Sequence, residues 1–298
     1  MGLIIKNYEI TTNKINKDIS ICLLTDLHLG NNTKEQSLID ILENIKIKKP
    51  DYICISGDYI DCVNILDNKN IYKQAKEYLR QLAKITKVIY TLGNHDVVEK
   101  KNLRERIYGI PEKFIDDIKK INNVIILNND KYIDKDIEFL GYVTDQKYYG
   151  KLSEKQNILI EDYPKKIGII DNNKFNVLLF HSPINVFKDS TFSLMPELSQ
   201  IDLILSGHMH NGLVPNWLDK IWKSDRGFIS PLKTFFPRYA RGIKKKTIKE
   251  KDIYLVVSGG VTKVHGLAPL ALRFLNYFYT PEVDYIVLKN NSINKKGI

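Results

Sequence analysis

The sequence is poor in the features that mark several classes of protein. Its 298 residues include only three cysteines, Cys22, Cys54 and Cys62, and none belongs to a CxxC pair. An odd number of cysteines without that spacing argues against a disulfide scaffold. No apolar run reaches the ~18 residues that a transmembrane helix needs, and residues 1–10 lack the apolar core of a signal peptide. We therefore expect a cytoplasmic protein, with peripheral contact at a membrane surface left open.

The composition indicates a folded protein with an excess of positive charge. Hydrophobic residues make up 43% and charged residues 27% of the chain, which is typical of a globular domain with a large core. Lys and Arg exceed Asp and Glu by 45 to 35, which gives a formal net charge of +10. Such an excess suits an anionic substrate, nucleic acid or an acidic membrane surface. An ordinary lysine-rich surface is the simpler explanation, and we prefer it for most of the lysines.

Short apolar runs alternate with amphipathic segments along the chain. We predict helices over residues 33–50, where Thr33 and Gln36 form a capping box, over 71–85 and over 111–121. The apolar runs predict strands at 4–11, 20–25, 52–56, 88–92, 124–127, 137–143, 175–180, 202–205, 253–257 and 284–288. This alternation predicts an α/β fold, and the final strands, with no helices between them, argue against a purely parallel sheet.

No linker, internal repeat or low-complexity tract divides the chain. We therefore predict one domain over residues 1–298. The signal is weakest between residues 145 and 174, where we place one helix near residues 154–163.

Five of the six histidines share one local setting. His28, His95, His181, His208 and His210 each follow directly on an apolar, strand-like run. His208 and His210 stand at i and i+2, so strand geometry aims both imidazoles at one point. Imidazole is a common metal ligand. One histidine at a strand end is usually a polar loop residue, but five in this setting indicate a metal site.

Two carboxylates and an amide complete the candidate ligand set. Asp26, Asp58 and Asn94 also stand at strand ends, and in α/β sheets ligands bind beyond the carboxyl ends of the strands. Each of the three, taken alone, would be ordinary turn chemistry. Carboxylate, amide and imidazole without thiolate suit Mn, Fe or Zn better than a structural cysteine-zinc site. Asp58 has no second candidate ligand beside it, which makes it the natural bridge between two ions.

The ordered motifs of the chain resemble those of the calcineurin-like metallophosphoesterase superfamily. They are Asp-x-His, Gly-Asp-x-x-Asp, Gly-Asn-His-Asp, a lone His and Gly-His-x-His, between Asp26 and His210. Each motif alone is weak, whereas the ordered set of five is very specific. The resemblance implies an α/β fold with a four-layer α/β/β/α sandwich of two mixed sheets. It also implies a dinuclear metal-dependent hydrolase of phosphoric esters that uses in-line attack by a metal-bridging hydroxide.

The resemblance implies a role for each candidate residue. The metal ligands fall into two groups that share one carboxylate: Asp26, His28, Asp58 and His210 for one ion, and Asp58, Asn94, His181 and His208 for the other. His95 would lie above the ions as an acid or transition-state stabiliser, and Asp61 would orient it. We expect two divalent metal ions per chain, with Mn²⁺ first and Fe or Zn as alternatives.

Two further features bear on the substrate. Protein phosphatases of the superfamily continue the second motif with Arg-Gly, where this chain has Cys62-Val63, so a phosphoprotein is the less expected substrate. The motif Ser-Gly-His-x-His and residues 257–260 and 281–283 resemble a bacterial branch that includes UDP-2,3-diacylglucosamine pyrophosphatases. This implies a small-molecule or lipid phosphate-ester substrate, lipid-linked or nucleotide-linked, with a phosphodiester, phosphomonoester or pyrophosphate bond.

Two other functions are weighed against hydrolysis of a small ester. A catalytically weak superfamily member would serve as a binding scaffold, and its signature would be the loss of ligands, yet none of the seven is missing. A nuclease would suit the net charge of +10, but no nucleic-acid-binding module is evident and we do not expect nucleic acid as a partner.

Residues 213–251, which we term the basic aromatic segment, follow His210 directly and read as irregular. They are interpreted either as loop core with solvated charges or as a lid beside the site, and we favour the lid because of its position. Large apolar side chains with Arg and Lys between them are also typical of an interfacial anchor. Arg238, Arg241 and, beyond the segment, His265 are candidate substrate contacts.

Overall fold

The computed structural model describes residues 2–30, 33–61, 68–101, 106–109, 111–143, 167–183, 196–218, 221–222, 225–230, 235–248, 250–262 and 279–291. The helix predicted near residues 154–163, the Cys62-Val63 pair and His265 lie outside these residues. No helix of the described part is long and apolar enough to cross a bilayer.

Helices and strands alternate through the first half of the chain. The helices are α1 (Glu35–Lys48), α2 (Lys69–Ile85) and α3 (Glu112–Lys119). The strands are β1 (Ile4–Thr12), β2 (Ile19–Leu24), β3 (Tyr52–Ser56), β4 (Lys87–Thr91), β5 (Val98–Lys101), β6 (Arg106–Gly109), β7 (Val124–Leu127), β8 (Asp130–Asp134), β9 (Ile137–Tyr142), β10 (Phe175–Phe180), β11 (Leu203–Ser206), β12 (Gly242–Ile248), β13 (Lys251–Val257) and β14 (Glu282–Asn290).

Most strands belong to two six-stranded sheets. The first has the order β1-β14-β2-β3-β4-β7 and the second β12-β13-β11-β10-β9-β8. Strand β14 is antiparallel to β2, β12 to β13 and β8 to β9, while the remaining neighbours are parallel. Both sheets are therefore mixed, as the sequence predicted. Strands β5 and β6 form a separate hairpin.

Three apolar clusters lie across the sandwich. Successive residues of a strand point to opposite faces of its sheet and so enter different clusters. In β3, Ile53 packs among the helices while Cys54 packs between the sheets. A strand that is buried on both faces reads as a continuous apolar run. The third cluster covers the outer face of the second sheet and includes Ile167, Ile170 and Leu198. The predicted α/β sandwich of two mixed sheets is confirmed.

The predicted capping box at the start of α1 is wrong. The helix begins at Glu35, and its N-cap residue Lys34 makes no side-chain cap. The Thr33 hydroxyl instead donates to the carbonyl oxygens of Leu27, at 3.0 Å, and His28, at 2.7 Å. Thr33 therefore links the residues before α1 to the loop that carries His28 by two hydrogen bonds.

Two edge strands are missing from the sequence prediction. Strand β8 has no buried residue, and β12 carries three consecutive lysines. Polar and lysine-rich edges discourage pairing with other chains, but they also hide the apolar alternation by which strands are recognised. The last part of the basic aromatic segment is therefore a sheet edge and not irregular loop.

Candidate metal centre

The predicted ligands stand at the carboxyl ends of adjacent parallel strands. Strands β2, β3 and β4 are neighbours in the first sheet, and β10 and β11 are neighbours in the second. The loops after them carry, in the same order, Asp26 and His28, Asp58, Asn94 and His95, His181, and His208 with His210. Because the two sheets pack face to face, these ends converge at one edge of the sandwich.

The convergence brings the side chains into metal-binding distance of one another. Two groups of three have donor atoms within 4.8 Å of each other: Asp26, His28 and His210, and Asp58, His181 and His208. An overlapping group contains His28, Asp58 and His95. Asn94, which contributes an amide, is half-buried in the loop after β4.

Asp26 shows that the site fits a cation. Its carboxylate is fully buried, and its Oδ1 faces the Nε2 atoms of His210 at 3.4 Å and of His28 and His181 at 3.8 Å. This oxygen accepts no hydrogen bond from the described residues. A buried carboxylate oxygen without a donor is costly, and a divalent cation between it and the ring nitrogens would remove that cost.

Asp58 belongs to the second group and also approaches the first. Its Oδ2 is 2.9 Å from Nε2 of His181 and 3.7 Å from Nε2 of His28. Its Oδ1 accepts a hydrogen bond from the backbone N–H of His95 at 2.7 Å. One carboxylate thus contacts members of both groups, which is the arrangement that a bridging ligand requires.

Backbone carbonyls orient two of the imidazoles. Nδ1 of His181 lies 2.8 Å from the carbonyl oxygen of Ser56, and Nδ1 of His210 lies 2.9 Å from that of Thr262. A proton on Nδ1 that is donated to the carbonyl directs Nε2 towards the carboxylates, and loss of the Nε2 proton then gives the tautomer that binds metal. Ser56 and Thr262, which supply these carbonyl oxygens, were not predicted from the sequence, because a backbone acceptor has no sequence signature.

The packed charges shift the protonation of the site. Burial lowers the pKa of His208 to about 3, and the nearby His181 acts in the same direction. Burial also opposes a charge on His181, but Asp58 and Asp26 outweigh it and raise its pKa to about 9. Despite their burial, the pKa values of Asp26 and Asp58 are lowered, chiefly by His210 and His181 respectively. The two carboxylates are therefore ionised, as ligands must be.

His95 stands at the open side of the group. Its side chain is half-exposed, its Nδ1 is 3.8 Å from Oδ1 of Asp61, and its ring meets the ring of His28 edge-on. Burial opposes its positive charge, but Asp58 and Asp61 outweigh this and raise its pKa to about 9. A protonated imidazole at this position can donate a proton or stabilise negative charge.

Asp96, the last residue of the Gly-Asn-His-Asp motif, joins two loops of the site. Its buried carboxylate accepts from the N–H of Gly93 at 2.7 Å and from that of Ile60 at 2.9 Å. Burial and the charge of Asp58 raise its pKa to about 6. Asp96 thus holds the loop of Asp61 against the loop of His95.

The loops that carry the ligands have an unusual backbone. Asp26, His28, Asp58, His208 and His210 all have φ between 44° and 66°. A left-handed conformation costs a non-glycine residue about 1–2 kcal/mol. Such outliers concentrate where the surrounding structure imposes them for function, and here they occur at five of the seven proposed ligands.

Residues 258–262 pack against the loop that carries Asp26. The hydroxyl of Thr262 donates to the carbonyl oxygen of Asp26 at 2.8 Å. The N–H of Gly259 donates to Glu282 at 2.8 Å, and Glu282 is paired with Lys6 at 2.6 Å. The late motifs at 257–260 and 281–283 therefore hold the Asp26 loop in position.

Position 207 has no room for a side chain, which explains the glycine there. A Cβ at this position would overlap Oγ1 of Thr25 and Oδ2 of Asp26. These two atoms share a hydrogen bond of 2.7 Å, and the N–H of His208 donates to the same Asp26 oxygen at 3.0 Å. The backbone must approach the carboxylate this closely for the two sheets to share the site.

We expect Gly207→Ala to destabilise the protein by about 1–3 kcal/mol, the usual cost of overpacking, and to weaken metal binding. The matched control is Gly168→Ala, because a methyl group there meets no atom within 4 Å and only its φ of 75° opposes it. Thermal unfolding and metal titration of both variants are the measurements. Unchanged metal affinity in Gly207→Ala would contradict the expectation.

Two of the three candidate substrate contacts, Arg238 and Arg241, lie in the part of the chain that the structure describes. Arg238 is exposed, and Arg241 is buried with its Nη2 donating to the carbonyl oxygen of Trp222 at 2.9 Å. Arg241 therefore has a structural contact within the basic aromatic segment. His265 lies outside the described residues.

Comparison with known proteins finds relatives of this chain. An uncharacterized metallophosphoesterase of Campylobacter jejuni is 29% identical over 229 residues, which cover 76% of this chain and 53% of that protein. One of Helicobacter pylori is 27% identical over 213 residues, or 70% and 49% of the two chains. The crystal structure of a dimetal phosphatase from Danio rerio covers 81% of this chain and 87% of its own, with 10% identity and a TM-score of 0.43.

The chain spans about half the length of the two bacterial relatives. The sequence model of the calcineurin-like phosphoesterases matches residues 19–212, which include all seven predicted metal ligands. The match extends over well more than half of the 298 residues. This chain therefore belongs to the calcineurin-like phosphoesterase family.

Proposed function

We propose that this chain is a metal-dependent hydrolase of phosphoric esters. The observation that carries the proposal is the pair of buried carboxylates, Asp26 and Asp58, which face imidazole nitrogens at 2.9–3.8 Å. The seven ligands proposed for two divalent ions are Asp26, His28, Asp58, Asn94, His181, His208 and His210. Two bound ions would supply Lewis-acid charge and an activated water for in-line displacement at phosphorus.

Backbone groups of the chain hold the proposed ligands in this arrangement. The backbone N–H groups of His95 and His208 fix the carboxylates of Asp58 and Asp26. The carbonyl contacts of His181 and His210 aim their Nε2 atoms inward. Because these contacts use backbone atoms, the ligands are positioned before any ion or substrate binds, which lowers the cost of organising the site.

His95 is proposed as the proton donor to the leaving oxygen, or as a positive charge that stabilises it. It belongs to the same site but is half-exposed, unlike the buried His181 and His208. A substrate that enters from solvent would therefore meet His95 before the buried ligands. Asp61, at 3.8 Å from Nδ1 of His95, is the proposed positioning residue.

We propose a small-molecule or lipid phosphate ester as the substrate, with a phosphodiester, phosphomonoester or pyrophosphate bond. Cys62-Val63 stands where protein phosphatases of the family carry Arg-Gly. This chain therefore lacks, at that position, the arginine that would bind the phosphate group of a phosphoprotein. Mn²⁺ is the proposed metal, because a mixed oxygen and nitrogen ligand set suits it.

Elemental analysis of the purified protein is expected to approach two transition-metal ions per chain. Chelation should abolish hydrolysis of bis-p-nitrophenyl phosphate, and Mn²⁺ should restore it more fully than Mg²⁺. A panel of nucleotide diphosphate sugars, cyclic nucleotides and phospholipid headgroup esters would then identify the substrate class. Undiminished activity in metal-free protein would refute the proposal, and two bound ions without hydrolysis of any ester would favour a binding scaffold.

A further inference from the structure

The positive charge of the chain is concentrated in the basic aromatic segment. Its 39 residues include eleven Lys or Arg and three Asp or Glu, so the segment carries +8 of the formal net charge of +10. The rest of the chain is almost neutral. This distribution differs from a uniformly lysine-rich surface, and it indicates an anionic partner for this one segment.

The same segment exposes large apolar side chains. Trp217 is 62% exposed, Ile221 78%, Phe235 64% and Phe236 54%. They include every Trp and Phe side chain that the described residues expose to this degree. A folded protein rarely leaves such a cluster in water unless the cluster has a binding role.

The first pair of exposed side chains lies on a tight turn. The carbonyl oxygen of Leu218 accepts hydrogen bonds from the N–H groups of Ile221, at 2.9 Å, and Trp222, at 2.6 Å. Trp217 directly precedes this turn, and Ile221 lies within it. Trp222, which is only partly exposed, ends the turn.

Trp222 joins this turn to the second pair. Its indole N–H donates to the carbonyl oxygen of Arg226 at 2.8 Å, and its ring meets the ring of Phe228 edge-on at 5.4 Å. Phe228 in turn accepts the N–H of Phe236 at 3.0 Å. The four exposed side chains are therefore carried by one packed unit and not by separate loops.

This unit is anchored to the metal site. The carbonyl oxygen of Gly212, two residues after His210, accepts from the N–H groups of Phe228 at 2.7 Å and Ile229 at 3.2 Å. Gly212 and Gly227 also touch so closely that a Cβ on either would overlap the other. A surface bound by this unit would therefore lie next to the loop of His210.

We propose that the basic aromatic segment docks the protein on membranes that contain anionic phospholipids. Trp217, Ile221, Phe235 and Phe236 enter the headgroup boundary, while the exposed Arg238 meets lipid phosphates. A nucleic acid would use exposed aromatic rings for base stacking, whereas the most exposed apolar side chain here is the aliphatic Ile221, which cannot stack. The docking is separate from the proposed hydrolysis and does not depend on it.

The protein carries its own reporter of this contact. Both tryptophans of the chain, Trp217 and Trp222, lie in the segment. Vesicles of phosphatidylcholine mixed with phosphatidylglycerol should shift the tryptophan emission of the full chain to the blue. Phosphatidylglycerol with brominated acyl chains should quench it. Vesicles of phosphatidylcholine alone should do neither, and raised salt should weaken the effect.

Variants separate apolar insertion from charge. Replacement of Ile221, Phe235 and Phe236 by Ser is expected to weaken vesicle binding at least about tenfold. The matched control is Ile47→Ser, because Ile47 lies on α1 and is equally exposed at 77%. Arg238→Gln should weaken binding to anionic vesicles. Thermal unfolding and metal content, which these exposed substitutions should leave unchanged, establish that each variant is folded.

Three outcomes would overturn the proposal. The first is the absence of both the emission shift and co-sedimentation with anionic vesicles at low salt. The second is equal binding by the triple Ser variant and the parent. The third is tighter, salt-dependent binding of single-stranded DNA or RNA that vesicles do not compete for, which would assign the segment to nucleic acid. None of these readouts involves hydrolysis, so the proposed enzymatic function is tested separately.

Discussion

Asp58→Asn is expected to remove metal and activity together. The Asp58 carboxylate contacts His28 of one group and His181 of the other, so the loss of its charge affects both ions. Metal affinity should fall by more than the ~10–100-fold that the loss of an outer hydrogen-bonding partner costs. Hydrolysis should drop to the level of the chelated parent. Metal titration and steady-state kinetics on the same preparation are the measurements.

Thermal unfolding gives Asp58→Asn a second readout. Bound ions stabilise only the folded state, so chelation should lower the unfolding temperature of the parent but hardly that of the variant. The matched control is Asp202→Asn. Asp202 is also a buried carboxylate, paired with Lys14 at 2.8 Å and Lys251 at 3.0 Å, but it precedes β11 at the opposite end from the site. That variant should lose stability and keep both ions. If Asp58→Asn keeps both ions and its activity, Asp58 is not the bridge.

His95→Ala is expected to keep both ions and lose ~10²–10⁴-fold in kcat, the scale of a positioned general acid. The separation is possible because His95 holds Asp58 through its backbone N–H, which alanine retains. The loss should be smaller for esters of p-nitrophenol than for alkyl esters, because a good leaving group needs little protonation. Asp61→Asn should have a smaller effect of the same kind, and the double variant should be no worse than His95→Ala alone.

The structure also allows the opposite role for His95. Its ring nitrogen lies within 4.8 Å of donor atoms of His28 and Asp58, as in the two proposed ligand groups. If His95→Ala lowers the metal content, His95 is a ligand and the proton donor must be sought elsewhere. A loss of kcat that does not vary with the leaving group would instead support electrostatic stabilisation.

The local pattern of the sequence was sufficient for much of the fold. Strands β3 and β10 have the predicted bounds, since apolar runs that are buried on both faces stand out against their surroundings. The edge strand β7 also has the predicted bounds, because all four of its residues are apolar. Polar edge strands such as β12 lack that contrast. Their pairing depends on a neighbour, here β13, which no local pattern identifies.

The candidate donor atoms were also predictable, since Asp, Asn and His at strand ends are visible in the residues themselves. Their arrangement was decided by tertiary structure. The close approach of Gly207 to Asp26 unites β11 of the second sheet with the loop after β2 of the first, although the residues are far apart in the chain. The carbonyl groups of Ser56 and Thr262 orient His181 and His210, and any residue type could supply such an oxygen. Side-chain chemistry is written in the sequence, whereas backbone contacts between distant segments exist only once the two sheets pack.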